Sequence, residues 1–257
     1  MKELSAEQLL ENWKEFLGYI NTYIPGERGE KLKTFYKVRE ERFIYMPASS
    51  VEHYHSAFPG GYIEHVNRVI RATLDIKEMW VKYGSPINCT DEELVFTAMN
   101  HDLGKYGNDE HPFYVPNSSE WHRKNQGKIY EYSEGLGKMQ VPDRSLFLLS
   151  TNGITYSETE YIGIKTHDGM YDDANKYYLA GYGGWTQKLK SSCSYIVHQA
   201  DMMAARVEFE EWRDNYREGA PTKVSKPKQE KKVSTANNPI NTNQAKAFDD
   251  LFKNLNA

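Results

Sequence analysis

Apolar residues recur along most of this chain at intervals of three and four, the spacing that places them on one face of an α-helix. Three of these segments open with a capping box, in which a Ser or Thr and a Gln or Glu three positions later bond to each other's backbone N–H groups. The boxes are formed by Ser5 and Gln8, Thr90 and Glu93, and Ser157 and Glu160. The pattern therefore predicts a helix starting at each of these three places.

The same spacing indicates two more helices. Residues 62–80 carry one apolar stripe, and a longer stripe begins after Ser192, which we expect to cap its helix. We expect Gly104 to end the helix that opens at Thr90, because glycine commonly follows a helix C-terminus. Strand-like alternation is found only in Arg42–Met46. The sequence therefore predicts an all-α fold.

Composition divides the chain into four parts. After Tyr216 the sequence becomes rich in Lys, Pro, Asn, Ser, Thr and Gln, which is typical of a linker, and a short apolar stripe returns near the end. The predicted parts are an N-terminal helical segment packing on the body (1–44), a main domain (45–216), a basic flexible linker (217–244) and an amphipathic peptide (245–257). That peptide could dock on its own body, bind a partner protein, or do neither.

Charge and cysteine content narrow the class of protein. The 257 residues include 32 Lys and Arg against 36 Asp and Glu, and this net charge of -4 argues against a protein that coats nucleic acid. No apolar run reaches the roughly 18–20 residues of a membrane span, and no signal-peptide pattern is visible. Cys89 and Cys193 could form one disulfide, but reduced thiols in the cytoplasm are the simpler expectation.

Several ionisable residues fall on predicted apolar faces. His65 lies on the stripe of residues 62–80, His101 and Asp102 lie inward near the end of their helix, and His167 and Asp201 share faces with aliphatic residues. A single inward histidine is usually a hydrogen-bonded core residue. Unpaired charges on four separate helices would be costly to bury, and a metal ion would remove that cost. Imidazole and carboxylate ligands together suit Mn, Fe, Co, Ni or Zn.

The order of these residues resembles the HD-domain superfamily of metal-dependent phosphohydrolases. Residues 48–66 are similar to the branch that contains 3′-to-5′ exoribonucleases, in which an alanine, a histidine pair, a glycine pair and Glu-His follow one another. Residues 101–105 match the superfamily's signature pentapeptide, and residues 198–206 are similar to its closing helix. The resemblance covers about residues 45–212 and implies an HD-type helical bundle with a metal site in its core.

The resemblance also implies a ligand set for one or two divalent metal ions, with Mg added to the metals named above. The implied ligands are His65, His101, Asp102 and Asp201 for one ion, with Asp102 bridging to a second ion held by His122 and His167. His111 is an alternative to His122. The sequence departs from the commonest pattern after His167, where Asp168 stands in place of a second histidine, so the second ligand set stays open.

The implied reaction is hydrolysis of a phosphoester of a nucleotide or oligonucleotide by a metal-activated water. Asp102 and Lys105 would be catalytic, and Lys105 and Arg68 would contact phosphate, although Lys105 could instead cap its helix. Tyr182 and Trp185, in a glycine-rich and aromatic insert, could stack on a base or pack locally.

Two alternatives remain open at this point. The acidic body and the lack of an evident nucleic-acid-binding domain favour small nucleotides over oligonucleotides. A small group of HD-domain proteins resembles di-iron oxygenases, with the same order of His, His-Asp, His, His and Asp, so an oxygenase acting on a small polar substrate fits the same residues.

Overall fold

The computed structural model describes residues 2–180 and 189–216 of the chain. Within these ranges the chain is mostly helical. The α-helices, α1 to α10 in chain order, are Ala6–Tyr23, Gly26–Lys37, Glu40–Tyr45, Gly61–Lys82, Asp91–Asn100, Glu120–Gln126, Val141–Thr151, Glu158–Thr166, Lys176–Leu179 and Cys193–Asn215. Single 3-10 turns are formed by Leu103–Tyr106, Gly169–Tyr171 and Asp173–Asn175. The predicted linker and terminal peptide lie outside the described residues.

A small hairpin is the exception to the predicted all-α fold. Strands β1 (Tyr114–Pro116) and β2 (Tyr130–Tyr132) pair antiparallel, with Tyr114 opposite Tyr132. Each strand has only three residues, too few for the alternation of apolar and polar positions to stand out in the sequence. The mainly helical class is confirmed, and the hairpin is an addition to it.

The three capping boxes are confirmed. In each helix the N-cap hydroxyl accepts a hydrogen bond from the backbone N–H three residues later, at 3.1 to 3.2 Å, and the Gln or Glu side chain accepts one from the N-cap backbone. These reciprocal bonds satisfy two backbone donors that would otherwise lack a partner at the helix start. They therefore set where α1, α5 and α8 begin.

The strand candidate at Arg42–Met46 is helical instead, because α3 covers residues 42–45 and Met46 is its C-cap. Phe43 is its one fully buried side chain, and its ring lies 4.8 Å from that of Tyr36, centroid to centroid. Burying a single aromatic residue is compatible with one helical turn, whereas five residues are too few to separate a strand from a helix by pattern.

Ser192 occupies the position before α10 but does not cap the helix with its side chain. Its backbone N–H and its hydroxyl both donate to the side-chain oxygen of Asn88, at 2.8 and 3.0 Å. A tertiary hydrogen bond has therefore taken the place of the predicted local one, and it ties the start of α10 to the loop before α5.

Helix α4 runs through the middle of the core. It packs against α10, α5, α1 and α3, while α10 also packs against α8 and α5. The N-terminal segment contributes to the same core, with Trp13, Phe16 and Ile20 of α1 buried against the later helices. Among the described residues, no helix has the length and apolar character needed to cross a bilayer.

Gly104 does not act as the predicted helix stop, because α5 already ends at Asn100 and Gly104 lies inside the following 3-10 turn. Gly104 instead allows the backbone of this turn to approach α7 closely. A Cβ on Gly104 would lie 2.1 Å from the carbonyl oxygen of Val141 in α7, and the Gly104 N–H donates to the hydroxyl of Ser145 at 2.8 Å. The turn that carries Asp102 is thereby held against α7.

Gly104→Ala should lower the free energy of unfolding by about 2 kcal/mol, because the added methyl group meets backbone rather than a movable side chain. Gly18→Ala is the matched control: it lies inside α1 with nothing within 4 Å of an added Cβ, and it should raise stability by roughly 0.5–1 kcal/mol. Urea denaturation of both variants measures this. Equal midpoints for Gly104→Ala and the wild type would contradict the close-packing account.

Candidate metal centre

Four helices bring five ionisable side chains to one point in the core. His65 lies in the second turn of α4, and Asp201 lies within α10. His101 caps the C-terminus of α5 and is followed by Asp102, while His167 caps the C-terminus of α8. Because the chain turns just after α5, the adjacent His101 and Asp102 can both face the same point.

The ring nitrogens and carboxylate oxygens lie a few ångströms apart. Asp201 Oδ1 is 3.2 Å from His65 Nε2 and 3.8 Å from His101 Nε2. Asp102 Oδ2 is 3.5 Å from His101 Nε2, and Asp102 Oδ1 is 3.7 Å from His167 Nε2. Sets of three such ligand atoms lie within 4.8 Å of one another, which is a spacing that can hold a metal ion.

Each histidine is oriented by a hydrogen bond from its other ring nitrogen. His101 Nδ1 donates to the carbonyl oxygen of Ala98 at 2.7 Å, and His167 Nδ1 donates to that of Ile164 at 2.8 Å. His65 Nδ1 lies 3.1 Å from the carboxylate of Glu208. A metal-ligating histidine typically carries such a carbonyl or carboxylate partner, which leaves Nε2 free to bind the ion.

The unsatisfied atoms of the cluster fit a cation. His65 Nε2 and His101 Nε2 are buried and make no hydrogen bond of acceptable geometry. Both side chains are fully buried, and Asp102 is 5% exposed. Buried polar atoms are rarely left without partners. A divalent ion, bound through imidazole nitrogen and carboxylate oxygen, would satisfy them, so the residues present suit a metal such as Mn, Fe, Co, Ni or Zn.

The charged groups of the cluster shift the pKa values of its histidines. Burial opposes protonation of both histidines, but the carboxylates of Glu208 and Asp201 outweigh it and raise the pKa of His65 to about 10. In the same way Asp168 and Asp102 raise the pKa of His167 to about 9. The site therefore concentrates negative potential on the two rings. A metal ion competes with those protons, since imidazole binds metal only in its neutral form.

Lys105 lies inside the cluster, as the sequence predicts. Its Nζ is 2.5 Å from Asp102 Oδ2 and 3.3 Å from His55 Nε2. Burial disfavours the charged carboxylate, but the Lys105 ammonium holds the pKa of Asp102 well below its usual range. Burial and the same ammonium lower the pKa of His55 to about 3, so His55 is neutral and accepts a hydrogen bond from Lys105.

Arg68 does not line the cavity over the cluster, contrary to its predicted role as a phosphate contact. Its guanidinium lies behind His65, 3.2 Å from Glu208 and 3.3 Å from Glu211. Glu208 is 4% exposed and would be a costly buried charge without these partners. Arg68 therefore stabilises the carboxylate that orients His65.

His122 is not brought into the cluster. It lies on the short helix α6, partly exposed, with its ring against Trp121, and it belongs to none of the possible metal-binding groups found among the described residues. His111, the alternative, is absent from those groups too. Tyr182 and Trp185 lie outside the described residues. In the described part of the chain, Asp168 and His55 extend the cluster beyond the five of the six predicted ligands that come together.

A cavity of ≈ 380 Å³ opens over one side of the cluster. Asp102, Lys105, His167 and Asp201 form its polar floor, and aromatic side chains from three parts of the chain form much of its walls. The ligand atoms are therefore enclosed by the core on one side and accessible to a small molecule on the other.

Sequence reasoning missed three residues of the site: His55, Asp168 and Glu208. Asp168 carried a signal, because it directly follows a candidate ligand. Glu208 falls seven residues after Asp201, which places both on one face of α10. His55 lies in an irregular loop, where periodicity cannot say which way a side chain points.

Comparison with known proteins found no protein-family model, no curated protein and no solved structure that matches this chain. The assignment of the site therefore depends on its own geometry.

Glu208→Gln should weaken metal binding about tenfold, because the neutral amide no longer polarises His65 through Nδ1. Isothermal titration with Mn²⁺, alongside circular dichroism to check folding, measures this. Glu210→Gln is the control, since Glu210 is exposed on the same helix and bonds only to Arg206 among the contacts found for it. Unchanged Mn²⁺ affinity in a folded Glu208→Gln variant would show that the carboxylate does not support a ligand.

His167→Ala and His122→Ala form a matched pair. Removing His167 takes away a ring nitrogen of the cluster, so Mn²⁺ affinity should fall by at least the ~10–100-fold typical of a supporting residue. Removing His122 should change neither affinity nor stoichiometry. Metal content by mass spectrometry and titration calorimetry give both quantities. A loss of one bound ion in His122→Ala would restore the ligand set implied by the resemblance.

Proposed function

We propose that this chain is a metal-dependent phosphohydrolase with an HD-type site, cleaving a phosphoester of a nucleotide or oligonucleotide. One observation carries the proposal. His65, His101, Asp102, His167 and Asp201 converge from four helices beneath an open cavity, and the buried Nε2 atoms of two of the histidines have no hydrogen-bond partner. This is the arrangement expected if the order of ligands in the sequence reflects a hydrolytic metal centre.

The five side chains named above would hold one or two divalent ions, with Asp168 available as a further ligand. When bound, a divalent ion lowers the pKa of water toward ~7 and offsets the negative charge that develops on a phosphoryl group. The protein's part is to fix these ligands, and it does so through backbone carbonyls and Glu208.

We expect Lys105 to bind a phosphoryl group. Lys105 lies on the cavity floor beside Asp102, and Arg206 lies at the exposed edge on α10. Lys105 donates to Asp102 and to His55, which leaves one ammonium proton to donate to a phosphate oxygen. In this proposal Lys105 contacts the reacting group, Asp102 binds metal, and Arg68 is a positioning residue rather than a substrate contact.

The size of the cavity favours small substrates. A space of ≈ 380 Å³ falls within the range of small-molecule sites. Among the described residues that line the cavity, Lys105 and Arg206 are the only lysine and arginine. We therefore propose a nucleotide, cyclic or linear, as the substrate ahead of an oligonucleotide end.

The oxygenase alternative uses the same types of metal ligand, histidine and aspartate. Oxygen uptake, rather than phosphate release, tests it. The order that suggested it includes His122, which lies outside the cluster. Oxygen uptake by the iron-loaded protein, without phosphate release from any ester, would favour an oxygenase over the hydrolase proposed here.

Asp102→Ala should reduce Mn²⁺-dependent hydrolysis of bis(p-nitrophenyl) phosphate to background, because it removes a carboxylate that faces three histidines. Chelation of the metal should do the same in the wild type. Asp75→Ala is the control: this aspartate is exposed on α4 and should leave the rate unchanged. Release of p-nitrophenol is followed by absorbance, and thermal melting checks that each variant folds.

Two results would contradict the proposal. One is full activity in Asp102→Ala. The other is a wild type that releases no phosphate or nitrophenol from this diester or from a panel of nucleotides with Mn²⁺, Fe²⁺, Co²⁺, Ni²⁺, Mg²⁺ or Zn²⁺.

A further inference from the structure

One face of α10 leads from the metal cluster to the mouth of the cavity. Asp201, Ala205 and Phe209 are spaced by four residues, so they lie above one another on the helix, and all three line the cavity. Eight residues of α-helix rise by about 12 Å. The cavity wall therefore runs from a carboxylate of the cluster, past a small side chain, to the face of an aromatic ring.

Arg206 and Trp212 hold the Phe209 ring in place. The Arg206 guanidinium lies over it at 4.9 Å from the centroid, and the Trp212 ring lies 5.9 Å away, centroid to centroid. Phe209 is half-buried rather than exposed. The ring also lines the cavity, so part of its apolar surface is accessible to a ligand.

A second part of the cavity lining is also aromatic. His53 and Tyr54, from the loop before α4, line the same cavity. The His53 ring lies 4.8 Å from that of Tyr54 and 6.1 Å from that of Trp212. The four rings of Tyr54, His53, Trp212 and Phe209 thus form a continuous series.

Tyr54 is a large aromatic residue that is 55% exposed, and its hydroxyl makes no hydrogen bond among the described residues. The loop that holds it is nevertheless anchored: the N–H of Glu52 donates to the carbonyl of Gly127 at 2.7 Å, and Val51 bridges to Lys128. An exposed aromatic side chain on an anchored loop, beside a polar floor, is suited to contact a planar ligand.

We propose that the cavity binds a nucleobase against Phe209 and Tyr54, with the attached phosphate on the floor beside Lys105. This inference rests on the proposed function and specifies its substrate class: the preferred ester carries a base, and base-free phosphate esters bind weakly. Phe209 and Tyr54 are specificity-determining residues in this assignment, and Arg206 lies over one face of the Phe209 ring. The distance along α10 from Asp201 to Phe209 suits a phosphate, a ribose and a base laid in sequence.

The test compares ligands that differ only in the base. Affinities of the Mn²⁺-loaded full-length protein for AMP, GMP, CMP, UMP and ribose 5-phosphate are measured by isothermal titration, with chromatography after each run to confirm that the ligand is intact. Stacking contributes enough per base that the best nucleotide should bind at least tenfold more tightly than ribose 5-phosphate. Phe209→Ala and Tyr54→Ala should each reduce this ratio at least fivefold and leave the affinity for ribose 5-phosphate unchanged.

Two further variants separate stacking from a general loss of structure. Phe209→Trp should keep the ratio, because it keeps a flat face. Tyr83→Ala, which removes an 81% exposed tyrosine that does not line the cavity, should behave as the wild type.

The inference is overturned if the wild type binds no nucleotide better than ribose 5-phosphate, or if the ratio survives in Phe209→Ala, Tyr54→Ala and the double variant. Equal weakening of both ligand types would also overturn it, since that result indicates a structural role. The proposed function fails separately: a base-dependent ratio without hydrolysis of any ester contradicts only the hydrolase, and hydrolysis with no base dependence contradicts only the base site.

Discussion

The packing of the core helices depends on the free-energy cost of burying the ionisable groups of the cluster. Three histidines and two aspartates lie with little solvent exposure among aliphatic side chains, where an unpaired charge is strongly disfavoured. They are tolerable only together, because each carboxylate lies within 4 Å of imidazole nitrogens. This requirement joins α4, α5, α8 and α10, since each supplies a group that the others need. A divalent ion would neutralise the buried carboxylates more fully than the imidazole rings can.

A second layer of contacts gives the cluster its geometry. Backbone carbonyls orient two of the histidines, and Glu208, itself paired with Arg68, orients the third. The close approach of Gly104 to α7 holds the turn that bears Asp102. These contacts hold the ligands from the core side, so the ligands can be rigid while the side of the cluster that faces the cavity stays open. A rigid polar floor beneath aromatic walls is the physical basis both for the proposed hydrolysis and for the proposed recognition of a base.

Agreement between sequence and structure is best where the signal is local. The capping boxes are formed, and the five inward ionisable residues chosen from helical periodicity lie together. It is poorest where a residue's neighbours come from distant parts of the chain. Arg68 has the right position on α4 to approach a phosphate, but acidic partners on α10 hold it behind the site. His122 has the right order in the sequence, but it lies on a short helix that carries it away from the cluster, and Asp168 lies there instead.

The amino-acid sequence by itself determined the helical class, the starts of the capped helices and five inward candidate ligands, because helix caps and apolar stripes act over three or four residues. Only the tertiary structure decided which ionisable groups meet, that His55 joins them, and that Phe209 and Tyr54 face one cavity. Those outcomes depend on how helices separated by tens of residues pack and on the path of irregular loops. No periodic pattern in the chain encodes either one.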